Sequence, residues 1–198
     1  MRTEKNGRYT RVIIEPGEYF SCANATVIST LLGSCVAACL YDPVRQIIGM
    51  NHFLLSSRRY SQGLPSIVPD AGRFGIHAME LLINDMMHKG ADRRSLRAKV
   101  FGGAGIFKNS ERVDNFMCVG EVNCRFIRDF LAKEDIPLDA EDLGGEYGRV
   151  IHFSNGDFTV YHRNIGHNRS HKLAVRDRHC WLKAIAIQEK VMPDIDYW

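Results

Sequence analysis

Two apolar segments separated by a turn motif constrain the fold of this chain more than any other feature. The first segment covers residues 36–41 and the second covers residues 47–55, with Asp-Pro-Val-Arg at 42–45 between them. Asp at the first position and Pro at the second position suit a type I turn. The pattern therefore predicts an antiparallel hairpin in which Tyr41 faces Gln46.

The predicted hairpin brings a thiol close to an imidazole. Cys35 follows the Gly33-Ser34 turn that precedes the first segment, and His52 lies in the second segment, far from the turn. In the register just given, Cys35 and His52 are directly opposite each other on one face, with Cβ atoms about 5 Å apart. A slip of one residue would place them on opposite faces.

Cys35 has a structural interpretation as well as a catalytic one. Most free cysteines are small buried hydrophobic residues, but a thiol beside an imidazole is the minimum that covalent thiol catalysis needs. The preceding turn favours catalysis, because glycine lets the backbone approach a ligand closely and turn amides can stabilise an oxyanion. Cys35 and His52 are therefore the candidate catalytic pair, and Gly33 and Ser34 are candidate oxyanion- or substrate-binding residues.

The remaining pattern predicts an α/β protein. Helical spacing of apolar residues covers 70–89 and 119–134, and β-branched or alternating segments cover 26–32, 96–101, 149–153 and 158–162. We expect a single layered domain with a mixed or antiparallel sheet and two main helices. The glycines at 102–105 suit either close backbone packing or a wall of the substrate cleft.

At several of these segments the chain resembles the CheD family, the chemoreceptor glutamine deamidases of bacterial chemotaxis. The match extends over roughly residues 13–160, and its five motifs occur in the family's order at residues 32–36, 49–55, 98–104, 119–123 and 142–149. The resemblance implies a layered α/β fold like that of the deamidase domain of cytotoxic necrotizing factor.

The resemblance also implies a reaction and its participants. Glutamine side chains on the cytoplasmic helices of chemoreceptors (methyl-accepting chemotaxis proteins) would be converted to glutamate, with Cys35 as the nucleophile, His52 as the base and no cofactor. The family's third catalytic residue is a threonine shortly before the cysteine. Thr30 is the natural candidate, but Ser29 is also hydroxylic, and adjacent strand residues point to opposite faces. Some family members bind CheC-type phosphatases, which makes such a phosphatase a further expected partner.

Two other functions use the same residues differently. The chain could bind receptors or phosphatases as a non-catalytic adaptor, or it could be a thiol hydrolase that acts on glutamyl methyl esters. The presence of both Cys35 and His52 argues against the adaptor. Only a substrate assay separates the ester from the amide, because the same nucleophile serves both reactions.

Composition excludes several other classes. With 198 residues, 45% of them hydrophobic, the chain suits one domain, and a net charge of +3 argues against a nucleic-acid binder. We expect a cytoplasmic protein without membrane insertion, because the first eight residues are polar and no apolar segment approaches the length of about 18 residues that a span needs. The six cysteines form no regular framework and are expected to be reduced.

The two ends lie outside the matched segments. We expect a flexible leader over 1–12, a deamidase-like domain over 13–163 and a C-terminal extension over 164–198. In the extension, His167 and His171 have a spacing that suits a metal, but no third ligand is evident, so no metal site is expected. Trp181, Ile185 and Val191 are expected to pack the extension onto the body or onto a partner.

Overall fold

The computed structural model describes residues 1–6, 9–55, 69–105 and 119–191, and the expected α/β class is confirmed. The three helices in this part of the chain are α1 (Pro69–His88), α2 (Val119–Lys133) and α3 (His167–Val191). Its strands are β1 (Arg2–Asn6), β2 (Tyr9–Ile13), β3 (Tyr19–Cys22), β4 (Thr26–Leu32), β5 (Val36–Asp42), β6 (Ile47–Asn51), β7 (Arg97–Gly102), β8 (Leu138–Leu143), β9 (Arg149–Ser154) and β10 (Val160–Asn164).

The strands form two five-stranded mixed sheets. The first sheet has the order β1-β2-β4-β9-β10 and the second has the order β3-β6-β5-β7-β8. Neighbouring strands are antiparallel except for β2 with β4 and β7 with β8. Every residue of β5 is buried, as expected for a strand whose two faces are both covered.

Two apolar cores lie on the two faces of the second sheet. One core lies between this sheet and helices α1 and α2, and it includes Leu40, Leu82 and Ile127. The other lies between the two sheets and includes Ile28, Cys39 and Phe153. The body is thus a three-layer arrangement of sheet, sheet and helices, with β5 in the middle layer. Among the described residues, no helix combines the length and apolar character needed to cross a bilayer.

The structure differs from the sequence prediction in three features. Residues 1–12, predicted as a flexible leader, contain β1 and most of β2, which pair antiparallel at the edge of the first sheet. The expected single sheet is two sheets, because alternation along a strand indicates which face is buried but not which sheet the strand joins. A third helix, α3, also forms within the C-terminal extension.

Candidate active site

The predicted hairpin forms, but its register differs from the predicted one by two residues. Asp42 pairs with Ile47, so the connecting loop covers residues 43–46 and not 42–45. The Asp42 carboxylate accepts hydrogen bonds from the amides of Val44 and Arg45, which starts the turn after Asp42. Gln46 takes a left-handed backbone conformation, with φ of 56°, and completes the loop.

A shift of two residues keeps every side chain on its predicted face. Val36 bridges Phe53, so His52 comes opposite Ala37 and not opposite Cys35. Cys35 and His52 are therefore diagonal neighbours on one face, an arrangement still within reach of a long side chain. The prediction of direct opposition is wrong, whereas the shared face is as predicted.

The backbone around Cys35 is held by the segment that follows β7. The Gly103 amide donates to the Cys35 carbonyl at 2.7 Å, and the Ala104 amide donates to the Gly33 carbonyl at 2.8 Å. A Cβ atom at Gly102 would lie 2.2 Å from the Cys35 carbonyl oxygen. This contact accounts for a glycine at position 102 by close backbone packing.

We expect Gly102→Ala to lower the free energy of unfolding by about 3 kcal/mol, because it adds a steric clash to an unfavourable backbone conformation. The φ of Gly102 is +117°. Gly90→Ala is the matched control, since Gly90 has a φ of +100° but nothing within 4 Å of the added methyl group. Urea unfolding of the two variants measures the difference, and equal losses would contradict the clash at Cys35.

His52 is fixed by hydrogen bonds to its backbone and to its ring. Its amide donates to the Glu18 carbonyl at 2.9 Å, and its carbonyl accepts from the Gly17 amide at 2.7 Å. Its ring Nδ1 lies 2.7 Å from the Thr30 hydroxyl oxygen. The side chain is buried, with 1% of the residue exposed.

The hydrogen bonds of Thr30 determine the tautomer of His52. The Thr30 hydroxyl donates its proton to the Ile14 carbonyl at 2.7 Å. Because a hydroxyl has one proton to donate, it must accept from Nδ1–H of His52. The proton is therefore on Nδ1, and Nε2 keeps its lone pair. Nε2 is buried without a hydrogen-bond partner in the described part of the chain, so it is available as a base.

Ser29 points to the other face of β4. Its hydroxyl lies 2.8 Å from Nδ1 of His152 and accepts from Nε of Arg11 at 3.0 Å. Adjacent residues of a strand point to opposite faces, which explains why only one of the two hydroxyls reaches His52. Of the two candidates, Thr30 contacts the imidazole of His52 and Ser29 contacts that of His152.

Burial and a nearby ion pair shift the pKa of both candidate catalytic groups. Burial raises the pKa of the Cys35 thiol well above its usual range, the Asp177 carboxylate raises it further, and the Arg176 guanidinium opposes the rise. Burial lowers the pKa of His52 to about 3, and Arg176 adds to this shift. Both shifts favour a neutral thiol and a neutral imidazole over a thiolate–imidazolium pair.

Asn123 on α2 connects the Gly33-Ser34 turn to the backbone just after His52, at Leu55. Its Nδ2 donates to the Ser34 carbonyl at 2.8 Å, and its Oδ1 accepts from the Leu55 amide at 2.9 Å. The side chain is completely buried. Asn123 lies in the family motif at 119–123, but the sequence alone indicates no contact for it. The two bonds hold the segments of Cys35 and His52 relative to each other.

We expect Asn123→Ala to lower the free energy of unfolding by about 3 kcal/mol, because it leaves two buried backbone groups without partners. Turnover should fall by about tenfold, since misplacement of reacting groups slows catalysis. Asn84→Ala is the control, because Asn84 lies on the exposed face of α1. Urea unfolding and turnover measure both effects, and a stability equal to that of the control would exclude the bridging role.

The turn amide of Ser34 binds a carboxylate from α3. The Ser34 amide donates to Oδ2 of Asp177 at 2.9 Å, and the Ser34 hydroxyl donates to the same oxygen at 3.1 Å. Arg176 donates to the other carboxylate oxygen of Asp177 and to the Leu31 carbonyl, both at 2.9 Å. The turn that was predicted to bind an oxyanion thus holds a negatively charged oxygen in this structure.

Asp177 and Arg176 are not among the predicted site residues, although the sequence carries a signal for one of them. Residues 163–178 are rich in basic side chains, a pattern typical of a solvated face. Asp177 is the only acidic residue among them and stands four residues before Trp181, on the apolar side of α3. Trp181 and Ile185 pack against Val119, as expected for an extension that contacts the body. The side chains of Val191, His167 and His171 lie outside the described part of the structure.

Thr30 contacts the buried imidazole of His52, and Cys35 lies diagonal to His52 on the same face of the sheet, although the described structure shows no hydrogen bond between Cys35 and His52. A thiol, an imidazole and a hydroxyl are the groups that a thiol hydrolase of this kind would need. Residues 60–164 match the family CheD, described as CheD chemotactic sensory transduction. A protein from Geobacter sulfurreducens, "Probable chemoreceptor glutamine deamidase CheD 1", is 54% identical over 185 residues, which cover 93% of this chain and 92% of that protein. The chain belongs to the CheD family, as the sequence motifs predicted.

Other relatives carry the same description. "Probable chemoreceptor glutamine deamidase CheD 2" from Shewanella oneidensis is 46% identical over 171 residues, covering 85% of this chain and 83% of that protein. A relative from Rhizobium leguminosarum bv. trifolii is 48% identical over 155 residues, covering 77% of this chain and 78% of that protein. Both match most of their own length, so the similarity is not confined to one motif.

Proposed function

We propose that this protein deamidates glutamine side chains of chemoreceptors, with Cys35 as the nucleophile, His52 as the base and Thr30 as the residue that orients His52. The names of its relatives support the reaction and the substrate. The observation that carries the assignment of roles is the arrangement of Ile14, Thr30 and His52, which leaves Nε2 of His52 as a base. Cys35 lies on the same face of the sheet.

In the first half of the reaction, Nε2 of His52 takes the thiol proton as Sγ of Cys35 attacks the side-chain amide carbon of the glutamine. The amide oxygen becomes an oxyanion, which the Ser34 amide stabilises beside Gly33. The carbon–nitrogen bond then breaks. His52 returns the proton to the leaving nitrogen, which departs as ammonia, and a thioester to Cys35 remains.

In the second half, water attacks the thioester carbon. His52 takes a proton from the water, and the oxyanion forms again at the Ser34 amide. The bond from carbon to Sγ breaks, the thiolate of Cys35 regains its proton from His52, and glutamate leaves. Thr30 accepts from Nδ1–H throughout, so that Nε2 is the atom that exchanges protons.

The proposed substrate also suggests a location and a division of the chain. A protein that modifies the cytoplasmic helices of chemoreceptors works in the cytoplasm. We assign catalysis to residues 13–163 and a separate role to residues 164–198, whose described side chains supply Arg176 and Asp177 but no member of the Cys–His–Thr site. A CheC-type phosphatase is a further proposed partner, on the basis of the family resemblance.

Mass spectrometry of a chemoreceptor cytoplasmic fragment incubated with the purified protein tests the proposal. Each glutamine that is converted to glutamate adds about 1 Da, because an amide is replaced by an acid in a thiol-catalysed hydrolysis. Binding of the fragment without a mass change would favour the adaptor. A fragment that carries glutamyl methyl esters tests the third function, since its hydrolysis would release methanol and remove about 14 Da per site.

A further inference from the structure

The C-terminal helix α3 places a side chain directly on the proposed oxyanion-binding turn. Oδ2 of Asp177 accepts from the amide and from the hydroxyl of Ser34, the residue that precedes Cys35. Asp177 and Cys35 have no exposed surface, and only 1% of His52 is exposed. In this arrangement a substrate oxygen cannot bind the Ser34 amide, because the carboxylate of Asp177 already does.

We propose that α3 occupies the substrate cleft as an internal pseudosubstrate, and that a chemoreceptor helix must displace it before Cys35 can react. This inference rests on the proposed function. It assigns the extension the role of a cover that keeps the deamidase inactive in the absence of its substrate.

The chemistry of Asp177 suits a pseudosubstrate. A carboxylate and a side-chain amide have the same planar shape, and each presents an oxygen that can accept from a backbone amide. The carboxylate, however, has no ammonia to release, and its negative charge disfavours attack by a thiolate. The side chain can therefore occupy the place of the glutamine without being converted.

The way in which α3 is attached permits its release. The helix buries four apolar residues, Leu173, Ala174, Trp181 and Ile185. Trp181 and Ile185 pack against Val119, and none of the four belongs to either main core. On the opposite side of α3, Val175 and Leu182 are about half exposed. Segments with few buried apolar contacts open at a lower free energy than the core of a protein. Undocking of α3 would leave the two main cores intact.

Displacement of α3 would also change the charges around the nucleophile. Among the described residues, the charged or titratable groups that act on Cys35 are Asp177, Arg176 and Cys180, all on α3. Arg176 also acts on His52, which lies beyond the end of β6. With α3 in place, the Asp177 carboxylate disfavours the thiolate, and the Arg176 guanidinium disfavours the imidazolium. Entry of water removes burial, the largest cause of both pKa shifts, and at Cys35 the loss of the Asp177 carboxylate outweighs the loss of the Arg176 guanidinium. The thiolate–imidazolium pair therefore becomes more accessible.

The test measures alkylation of Cys35 by iodoacetamide in the full-length protein, with peptide mapping by mass spectrometry. Two variants loosen the cover: Asp177→Asn removes the charge at constant shape, and the double variant Trp181→Ala/Ile185→Ala removes the apolar anchors. Both should label Cys35 about tenfold faster than the unmodified protein, because reactivity follows thiolate content and exposure. Leu182→Ala is the matched control on the exposed side of α3, and its labelling rate should equal that of the unmodified protein.

Cys39 provides the folding control, because it is completely buried on the same face of β5. Faster labelling counts in favour of the cover only while Cys39 stays protected. If Cys35 and Cys39 are labelled at the same rate in the double variant, the body of that variant has unfolded. The labelling rate of Cys35 in the Asp177→Asn protein then tests the proposal by itself. An unchanged rate in a folded Asp177→Asn protein, or rapid labelling of Cys35 in the unmodified protein, would overturn the proposal.

Deamidation of the receptor fragment by the same variants separates this inference from the proposed function. At a fragment concentration well below saturation, both loosened variants should convert it about tenfold faster, because a larger fraction of the protein is competent to bind. Faster labelling with no conversion by any protein would support the cover and reject the deamidase. Conversion by all proteins at one rate, with labelling unchanged, would reject the cover and support the deamidase.

Discussion

Replacement of Cys35 by alanine is expected to reduce deamidation by about 10⁴-fold or more. The proposed mechanism passes through a thioester to Cys35, and no alternative nucleophile can substitute for a lost one in such a mechanism. The mass gain of a receptor fragment measures turnover. Acid quenching of the unmodified protein with a glutamine-containing fragment should trap the covalent adduct, which Cys35→Ala cannot form.

Cys39→Ala is a close control for this substitution. Both cysteines are completely buried, and both lie in the core between the two sheets. Removal of either sulfur leaves a cavity of the same size, so both variants should lose about 1 kcal/mol of stability. Only Cys35 follows the turn that contains Ser34. Equal activity of the two variants would refute the assignment of Cys35 as the nucleophile.

The sequence was sufficient to place Cys35 and His52 on one face of a hairpin, but not to fix their register. Alternation of side chains constrains a strand only to a shift of an even number of residues, because a shift by two keeps every face. The remaining choice depends on the loop. Gln46 takes a left-handed conformation and lies within the loop, so the loop begins one residue later than predicted. The Asp-Pro motif alone does not reveal this conformation of Gln46.

The sequence could not determine whether Thr30 or Ser29 contacts His52, for a different reason. Both residues lie on β4, and either could contact an imidazole. The first sheet supplies His152 to Ser29, and the loop after β6 supplies His52 to Thr30. A pattern of polar and apolar residues carries no information about which histidine lies above which face.

The surface on which α3 docks was the feature that the sequence could predict least. The contact between Asp177 and Ser34 joins residues that are 143 positions apart. Helical spacing predicts that Trp181 and Ile185 share a face, but it does not identify the surface on which that face docks. The sequence therefore indicated an extension without a specific function. The carboxylate of Asp177 comes next to the residue before Cys35 only through the packing of α3 in three dimensions.

Thr30→Val is expected to lower kcat by about 100-fold with little change in KM. Valine has the shape of threonine but cannot accept from Nδ1–H, so His52 loses the contact that fixes its tautomer and its orientation. The effect should be smaller than that of removing a charged partner, because a hydroxyl does not stabilise an imidazolium as a carboxylate does. The Ile14 carbonyl also loses its donor, at a cost of about 1–3 kcal/mol in the free energy of unfolding.

Two further variants test the role of the hydroxyl itself. Thr30→Ser keeps the group that contacts Nδ1 and Ile14, and should restore kcat to within about threefold of the original value, since only a methyl group is lost. Ser29→Ala removes the neighbouring hydroxyl, which contacts His152 and Arg11 on the other face. It should leave kcat within about twofold, because substitutions away from the reacting groups have small effects. A loss in Ser29→Ala that matches the loss in Thr30→Val would mean that the hydroxyls support the strand and do not orient His52.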